Sequence, residues 1–217
     1  MEQFVRTTGV AAPILRNNID TDQIAPGLFA ANTPKEKHAE ALFRNMRYMP
    51  GGDTPNPDFV LNRSPWDKSE ILVVGENFGC GSSREAAAKA LRAFGIRAVI
   101  APSFGGILFN NCFRNGIVPI VLPKDVVEHL ADDANHAAEG SRITVDLEAL
   151  TVTDSAGRTY AFTAPDQQRA MLLQGLDEID FTLAMSEELN AFWTRDKQLR
   201  PWVYEFGSAG QRIEVKQ

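Results

Sequence analysis

Residues 69–85 read SEILVVGENFGCGSSRE, from Ser69 to Glu85. The first seven form a short apolar run without polar alternation, the pattern of a strand covered on both faces. The run SREAAAKALRAF (83–94) carries apolar residues at helical spacing and stops at Gly95. Between strand and helix stand Gly79, Cys80, Gly81 and two serines. A strand that ends in a glycine turn and re-enters as a helix is the repeating unit of a parallel sheet.

The same unit recurs downstream. AVIA (98–101) is followed by ILFNNCFRNG (107–116), and IVPIVLP (117–123) by KDVVEHLADDANHA (124–137). After Gly140 the pattern changes to RITVDLE (142–148), TVTDS (151–155) and TYAFT (159–163), which read as antiparallel strands with Gly157 in the last turn. Upstream, residues 4–15 begin as a strand, and Asn17-Asn18 and Asp20-Thr-Asp22 form a turn that sets carboxylates at its end. PKEKHAEALFRNMR (34–47) reads as a helix with Pro34 in its first turn, PGGDTPNPD (50–58) as a loop, and 165–174 and 186–196 as closing helices. The expected fold class is α/β, with a central mostly parallel sheet, helices on both faces and a β-rich second half.

The chain has 217 residues and a net charge of −6, so a basic footprint for nucleic acid is not expected, though a local basic pocket stays open. Two cysteines cannot build a disulfide framework and fit a reducing compartment. MEQFVRTTGVAAP (1–13) lacks the charged-then-apolar layout of a secretory signal, and no apolar run reaches about 18 residues. The expectation is a soluble cytoplasmic protein.

The glycine loop fits none of three familiar patterns. A dinucleotide fingerprint from Gly79 needs glycine at Arg84, a phosphate-binding P-loop needs Gly-Lys-Ser/Thr, and a nucleophile elbow from Gly81 needs glycine at Glu85. Ser82 and Glu85 have the spacing of a helix capping box. A cap has no use for Arg84, whose charge in the first turn is mildly unfavourable against the helix dipole. A carboxylate or phosphate bridging the two removes that conflict, so the loop reads as a receiver for an acidic substrate.

GENFGCGSSRE (75–85), followed by RAVIAPSFGGILFNNCFRNGIVPIVLP (97–123), resembles the small-subunit family of the 3-isopropylmalate dehydratases, the equivalent of the swivelling domain of aconitase. Asp20-Thr-Asp22-Gln-Ile24, residues 56–62 (NPDFVLN) and Gly175-Leu-Asp177 resemble other segments of that family in the same order, so the resemblance spans residue 4 to about 200. It implies a β/β/α swivelling domain over 1–200, a mobile substrate-selecting loop and connection at 27–62, and a C-terminal extension at 201–217. It further implies dehydration and rehydration of a small hydroxy-diacid, 2-isopropylmalate to 3-isopropylmalate in leucine biosynthesis. Ser82 is then the base, Ser83 and Arg84 hold substrate carboxylate, and Thr21 and Asp22 complete the site. Ala86 stands where many members have histidine, and the 27–40 loop departs from the glycine-containing version, which keeps another diacid such as citraconate or dimethylmaleate open.

The base cannot work unaided. Lowering a serine pKa by about six units takes roughly 8 kcal/mol, whereas a helix N-terminus contributes at most about 2 kcal/mol. A metal bound to substrate in a closed pocket makes up such a deficit. A cluster needs three or four thiolates and this chain has two, 32 positions apart, so the resemblance puts a [4Fe-4S] cluster on a large-subunit partner. Without a partner, the remaining reading is a binding module that holds a phosphate or nucleotide on the glycine loop.

Among other candidates, Cys80 is either a reactive thiol or a small loop residue, and Cys112 is a small core residue. Ser103-Phe-Gly-Gly106 is a second glycine-bearing strand end, and His129 and His136 are expected as solvated residues on one helix face. Lys35, Lys37, His38, Arg44 and Arg47 are the cations of the substrate-selecting segment.

Overall fold

Two cores share one parallel sheet, and the strand pleat sorts residues between them. The computed structural model describes residues 1–27, 34, 37–81 and 85–204. Strands β2 (Ala11–Ile14), β3 (Ile71–Val74), β4 (Ala98–Ala101) and β5 (Val118–Val121) pair in parallel in that order. Every residue of β3 and β4 is buried. Leu72, Val74, Val99 and Ala101 enter one core, together with Leu91 and Leu108. Their neighbours Ile71, Val73, Ala98 and Ile100 enter the other, together with Val127 and Leu130. The two-residue period of a strand thus divides an unbroken apolar run between two layers.

The first core is roofed by α4 (Glu85–Phe94) and α5 (Gly106–Arg114), the helices that follow β3 and β4. The second takes α6 (Lys124–Asn135) and the apolar face of a separate antiparallel sheet. That sheet is ordered β1 (Arg6–Gly9), β6 (Ile143–Asp146), β7 (Thr151–Thr153), β8 (Thr159–Ala161). A further helix, Asp166–Gln174, closes this part of the chain. The architecture is α/β with helices on both faces of a parallel sheet, as the sequence implied.

Two local readings are corrected. Residues 4–15 form two strands in different sheets. Gly9 pairs antiparallel with Ile143, and Ala11 pairs in parallel with Ile71. Val10 is the crossing point, its carbonyl accepting from the N–H groups of Glu70 (3.1 Å) and Ile71 (3.3 Å).

The run 34–47 is not one helix. His38–Ala41 and Arg44–Arg47 are single turns broken at Phe43, which is left-handed at φ 48° and fully buried. Its N–H donates to the Ile24 carbonyl at 2.7 Å, and its ring lies 5.8 Å from that of Phe59. Left-handed backbone costs about 1–2 kcal/mol. Burying a phenylalanine returns about 1.5–3 kcal/mol, so packing overrides local propensity here.

The chain divides into two compact units, Met1–Leu176 and Asp177–Gln217. In the second, Glu178–Ala184 is capped by the Asp177 carboxylate, which accepts from the N–H groups of Ile179 (2.9 Å) and Asp180 (2.8 Å). Ser186–Leu199 extends the helix expected at 186–196, and the turn Pro201–Tyr204 follows it. Among the described residues no helix is long and apolar enough to cross a membrane.

Candidate functional site

The loops leaving β2, β3 and β4 are laced together at the C-terminal ends of the strands, where open α/β sheets place their ligands. The Asn18 N–H donates to the Glu76 carbonyl (2.8 Å), and the Glu76 N–H donates to Asn17 Oδ1 (2.9 Å). The Gly79 N–H donates to the Ile19 carbonyl (2.7 Å), and the Thr21 N–H to the Cys80 carbonyl (3.0 Å). On the other side, the Phe78 N–H donates to the Ser103 carbonyl (3.1 Å), and the Asn77 N–H to Ser103 Oγ (2.8 Å). The Gly105 N–H closes the lacing on the Phe78 carbonyl at 2.8 Å. The glycine loop is therefore held from both flanks by backbone.

Gly79 sits at φ +72°, and a Cβ there would stand 1.9 Å from a Leu108 methyl, so both conformation and space demand glycine. A Cβ on Gly81 would lie 3.7 Å from Asp20 Cβ and 3.8 Å from the Thr21 hydroxyl. The structure thus brings the Asp20–Asp22 segment against the loop that the sequence singled out. The three central residues of the reading, Ser82, Ser83 and Arg84, lie outside the described residues; the chain is described up to Gly81 and again from Glu85.

The carboxylates of that segment divide in role. Asp20 caps the turn Thr21–Ile24: its Oδ1 accepts from the Gln23 N–H (2.7 Å), and Gln23 Oε1 accepts from the Asp20 N–H (3.1 Å), a capping box. Thr21 is buried against the loop, whereas Asp22 is exposed, with Oδ1 accepting from the Gly27 N–H at 3.3 Å. At the start of α4, a hydrogen bond from Lys89 holds the Glu85 carboxyl below the usual carboxylate range. Burial opposes this, and the Lys89 charge, Asn115 and Arg114 add to it.

Beside this segment opens a cavity of about 630 Å³, lined by Pro26, Arg44, Asn45, Tyr48, Met49 and Asp53, among others. The Arg44 guanidinium lies 4.1 Å from the Tyr48 ring centre, donates to the Gly52 carbonyl at 3.3 Å and pairs with Asp53. Arg47 points elsewhere. It donates to the Ala39 carbonyl (2.9 Å) and Asn62 Oδ1 (3.2 Å) and lies over Phe94, and burial pushes its pKa down. Of the segment's other cations, Lys37 is exposed, His38 is half-buried, and Lys35 lies outside the described residues.

Ser103–Gly106, expected as a second glycine-bearing strand end, buttresses the glycine loop through Ser103 and Gly105. Sequence reasoning missed one grouping. His129 is not simply solvated. Its Nε2 lies 3.0 Å from Oδ2 of the buried Asp154, which also accepts from Arg158 Nε at 2.8 Å. Nothing in the one-dimensional pattern pairs residues 129 and 154. Cys112 is buried and its thiol pushed up to about 12 by that burial, so it is an inert core residue, as expected. Among the described residues, no three His, Cys, Asp or Glu side chains stand together as a metal site would require.

The site thus sits on a parallel sheet with a laced glycine loop, and a second, antiparallel sheet shares one of its two cores. Residues 1–125 match the family model described as the aconitase C-terminal domain, and 128–164 match the one described as LeuD_N. Over 94% of its length the chain is 49% identical to the 3-isopropylmalate dehydratase small subunit of Cupriavidus necator, covering 99% of that protein. The proteins of that name from Cereibacter sphaeroides and Paracoccus denitrificans are 48% and 47% identical, again over 94% of this chain and 100% of theirs. A crystal structure of a 3-isopropylmalate dehydratase from Methanocaldococcus jannaschii superposes with a TM-score of 0.61 at 25% identity, covering 86% of this chain and 98% of that one. The chain belongs to the 3-isopropylmalate dehydratase small-subunit family.

Proposed function

We propose that this chain is the small subunit of a two-chain iron–sulfur hydro-lyase that interconverts 2-isopropylmalate and 3-isopropylmalate in leucine biosynthesis, through 2-isopropylmaleate. The near-half identity to proteins called 3-isopropylmalate dehydratase small subunits, over 94% of the chain, carries the reading. The hydrogen bond from the Thr21 N–H to the Cys80 carbonyl, with Gly81 beside the Thr21 hydroxyl, supports it.

In this reading Ser82 moves the proton at the substrate carbon. Ser83 and Arg84 grip a carboxylate at the start of α4, where backbone N–H groups and the helix dipole favour an anion. Thr21 adds a hydroxyl beside Gly81, and Asp22 supports the site from the rim. Substrate selection falls to residues 27–62, where Arg44 and Tyr48 line the large cavity.

The residues of this chain do not fit an iron–sulfur cluster. Cys112 is buried with a raised thiol pKa, which leaves Cys80 as the single remaining thiol. We assign the [4Fe-4S] cluster, with the stabilisation of a leaving hydroxyl that it supplies, to a large-subunit partner. Two free cysteines suit the reducing cytoplasm, where we place the complex.

Mixing the chain with purified large subunit and reconstituted cluster tests the reading. Turnover of isopropylmalate should exceed that of citraconate or dimethylmaleate. Ser82→Ala should reduce it by about 10²–10⁴-fold, the ordinary contribution of a positioned proton-transfer group. Near-normal turnover by that variant removes the base from Ser82, and a preference for another diacid removes the substrate.

A further inference from the structure

The unit from Asp177 to Tyr204 has almost no interior among its described residues. Only Asp196 is buried there, and nine of the fifteen exposed large apolar side chains among the described residues fall in this stretch. Ile179 and Leu183 stand one turn apart on Glu178–Ala184, exposed by 70% and 62%. On Ser186–Leu199, Phe192 and Leu199 stand seven residues apart on one face, Trp193 widens that face by about 100° at its edge, and Trp202 follows on the next turn. Asp196 lies within that face and ties the last two turns together, accepting from Arg200 Nε (2.7 Å) and the Tyr204 hydroxyl (2.8 Å).

Helices this short are marginal in water unless an amphipathic face is packed. At about 150–250 Å² per large side chain, these six leave roughly 700 Å² open. Summed over the three helices, that approaches the roughly 800 Å² that each partner contributes to a stable complex.

We infer that this face is the permanent anchor for the large subunit. The inference rests on the proposed function, in which catalytic groups are divided between two chains. The surfaces around the glycine loop must part to admit substrate and release product, so the contact that keeps the chains together throughout the cycle lies elsewhere. A wide apolar face on helices without a core of their own has the chemistry of an obligate interface, and the polar loop cluster does not.

The test uses the full chain and purified large subunit, with binding measured by titration. Trp193→Glu and Leu199→Glu should each weaken assembly at least about tenfold. At saturating large subunit, kcat should be unchanged. Gln198→Glu, which adds the same charge on the opposite side of the helix, should assemble normally. In the unmutated chain, amides of 177–204 should exchange fast alone and become protected when the large subunit is added, a readout that needs no variant to fold.

Unchanged affinity in both face variants overturns the inference. So does protection of 177–204 already present in the chain alone, because the face then packs on its own chain. Self-association that Trp193→Glu abolishes, with large-subunit affinity unaltered, assigns the face to a second copy instead. If the unmutated complex assembles through this face yet does not turn over isopropylmalate, the catalytic reading fails and the anchor stands.

Discussion

Gly105 faces the carbonyl oxygen of Gly79 so closely that a Cβ on Gly105 would stand 2.3 Å from it. The obstacle is backbone, which cannot swing aside as a side chain can, so one of the two loops must move. Gly105→Ala should cost about 1–3 kcal/mol of stability, the range for overpacking. Because it pushes the glycine loop itself, turnover with the large subunit should fall by about tenfold or more. Gly106→Ala supplies the contrast. Its Cβ meets nothing within 4 Å at the first position of α5, and alanine there should stabilise by up to about 1 kcal/mol. Denaturant titration and turnover of the two variants, side by side, check both outcomes.

Asp20 and Asp22 lie two residues apart and should respond in opposite ways. Asp20 is a cap, so Asp20→Ala should lose about 1 kcal/mol, and Asp20→Asn, an equally good cap, should restore most of it. Asp22 is exposed, and Asp22→Asn should change stability by no more than about 0.5 kcal/mol. If Asp22 supports the chemistry as proposed, kcat should nevertheless fall at least severalfold. A large stability loss in Asp22→Asn with normal kcat reverses the two roles.

Those outcomes follow the line along which the fold was legible. Strands β3, β4 and β5 and the helices after them were readable because β3 and β4 are buried on both faces and β5 over three of its four residues, leaving short apolar runs punctuated by glycine. The glycine loop drew attention because Arg84 has no place in an ordinary cap, and the structure laces Phe78–Cys80 to the loops after β2 and β4. What stayed hidden depends on partners distant in sequence. Phe43 takes a left-handed backbone because it docks on Ile24 and Phe59. Val10 divides one β run between two sheets because Gly9 and Ala11 find different partners. The helix Glu178–Ala184 was missed because no buried stripe marks it, its apolar residues being left outward.

Arg44 and Arg47 share a single helical turn, and their contacts separate specificity from support. Arg47→Lys keeps the charge but loses the planar fork that reaches the Ala39 carbonyl and Asn62, so it should lower stability by about 1–3 kcal/mol. The ratio of isopropylmalate to citraconate turnover should not change. Arg44→Gln alters the wall of the 630 Å³ cavity and should shift that ratio, chiefly through KM. Steady-state kinetics on both diacids, with melting curves, separates the effects. A ratio that moves with Arg47 and not with Arg44 places the selecting surface elsewhere.

Asp154 fastens the β7–β8 turn to α6 and should govern part of the acid stability. Burial alone would push its carboxyl up, but hydrogen bonds from His129 and from the backbone and side chain of Arg158 outweigh it and hold the group below the usual carboxylate range. Asp133, on the same helix, is also lowered: burial opposes the shift, and Ser155 and Ser141 donate to it. The sign follows from linkage. A carboxyl whose folded pKa lies below its unfolded value, about 3.9, binds protons more readily unfolded. Its stabilisation is complete above that unfolded value and disappears as pH falls through the lower, folded one. The protein should therefore lose Tm steadily from about pH 5 to pH 3. Asp154→Asn should be about 1–3 kcal/mol less stable at pH 7. Its Tm should also fall less steeply on acidification, because one of the groups that must take up a proton is gone. Melting curves at half-unit pH steps decide the matter: two parallel profiles would mean that Asp154 holds the turn by shape alone, with its charge irrelevant.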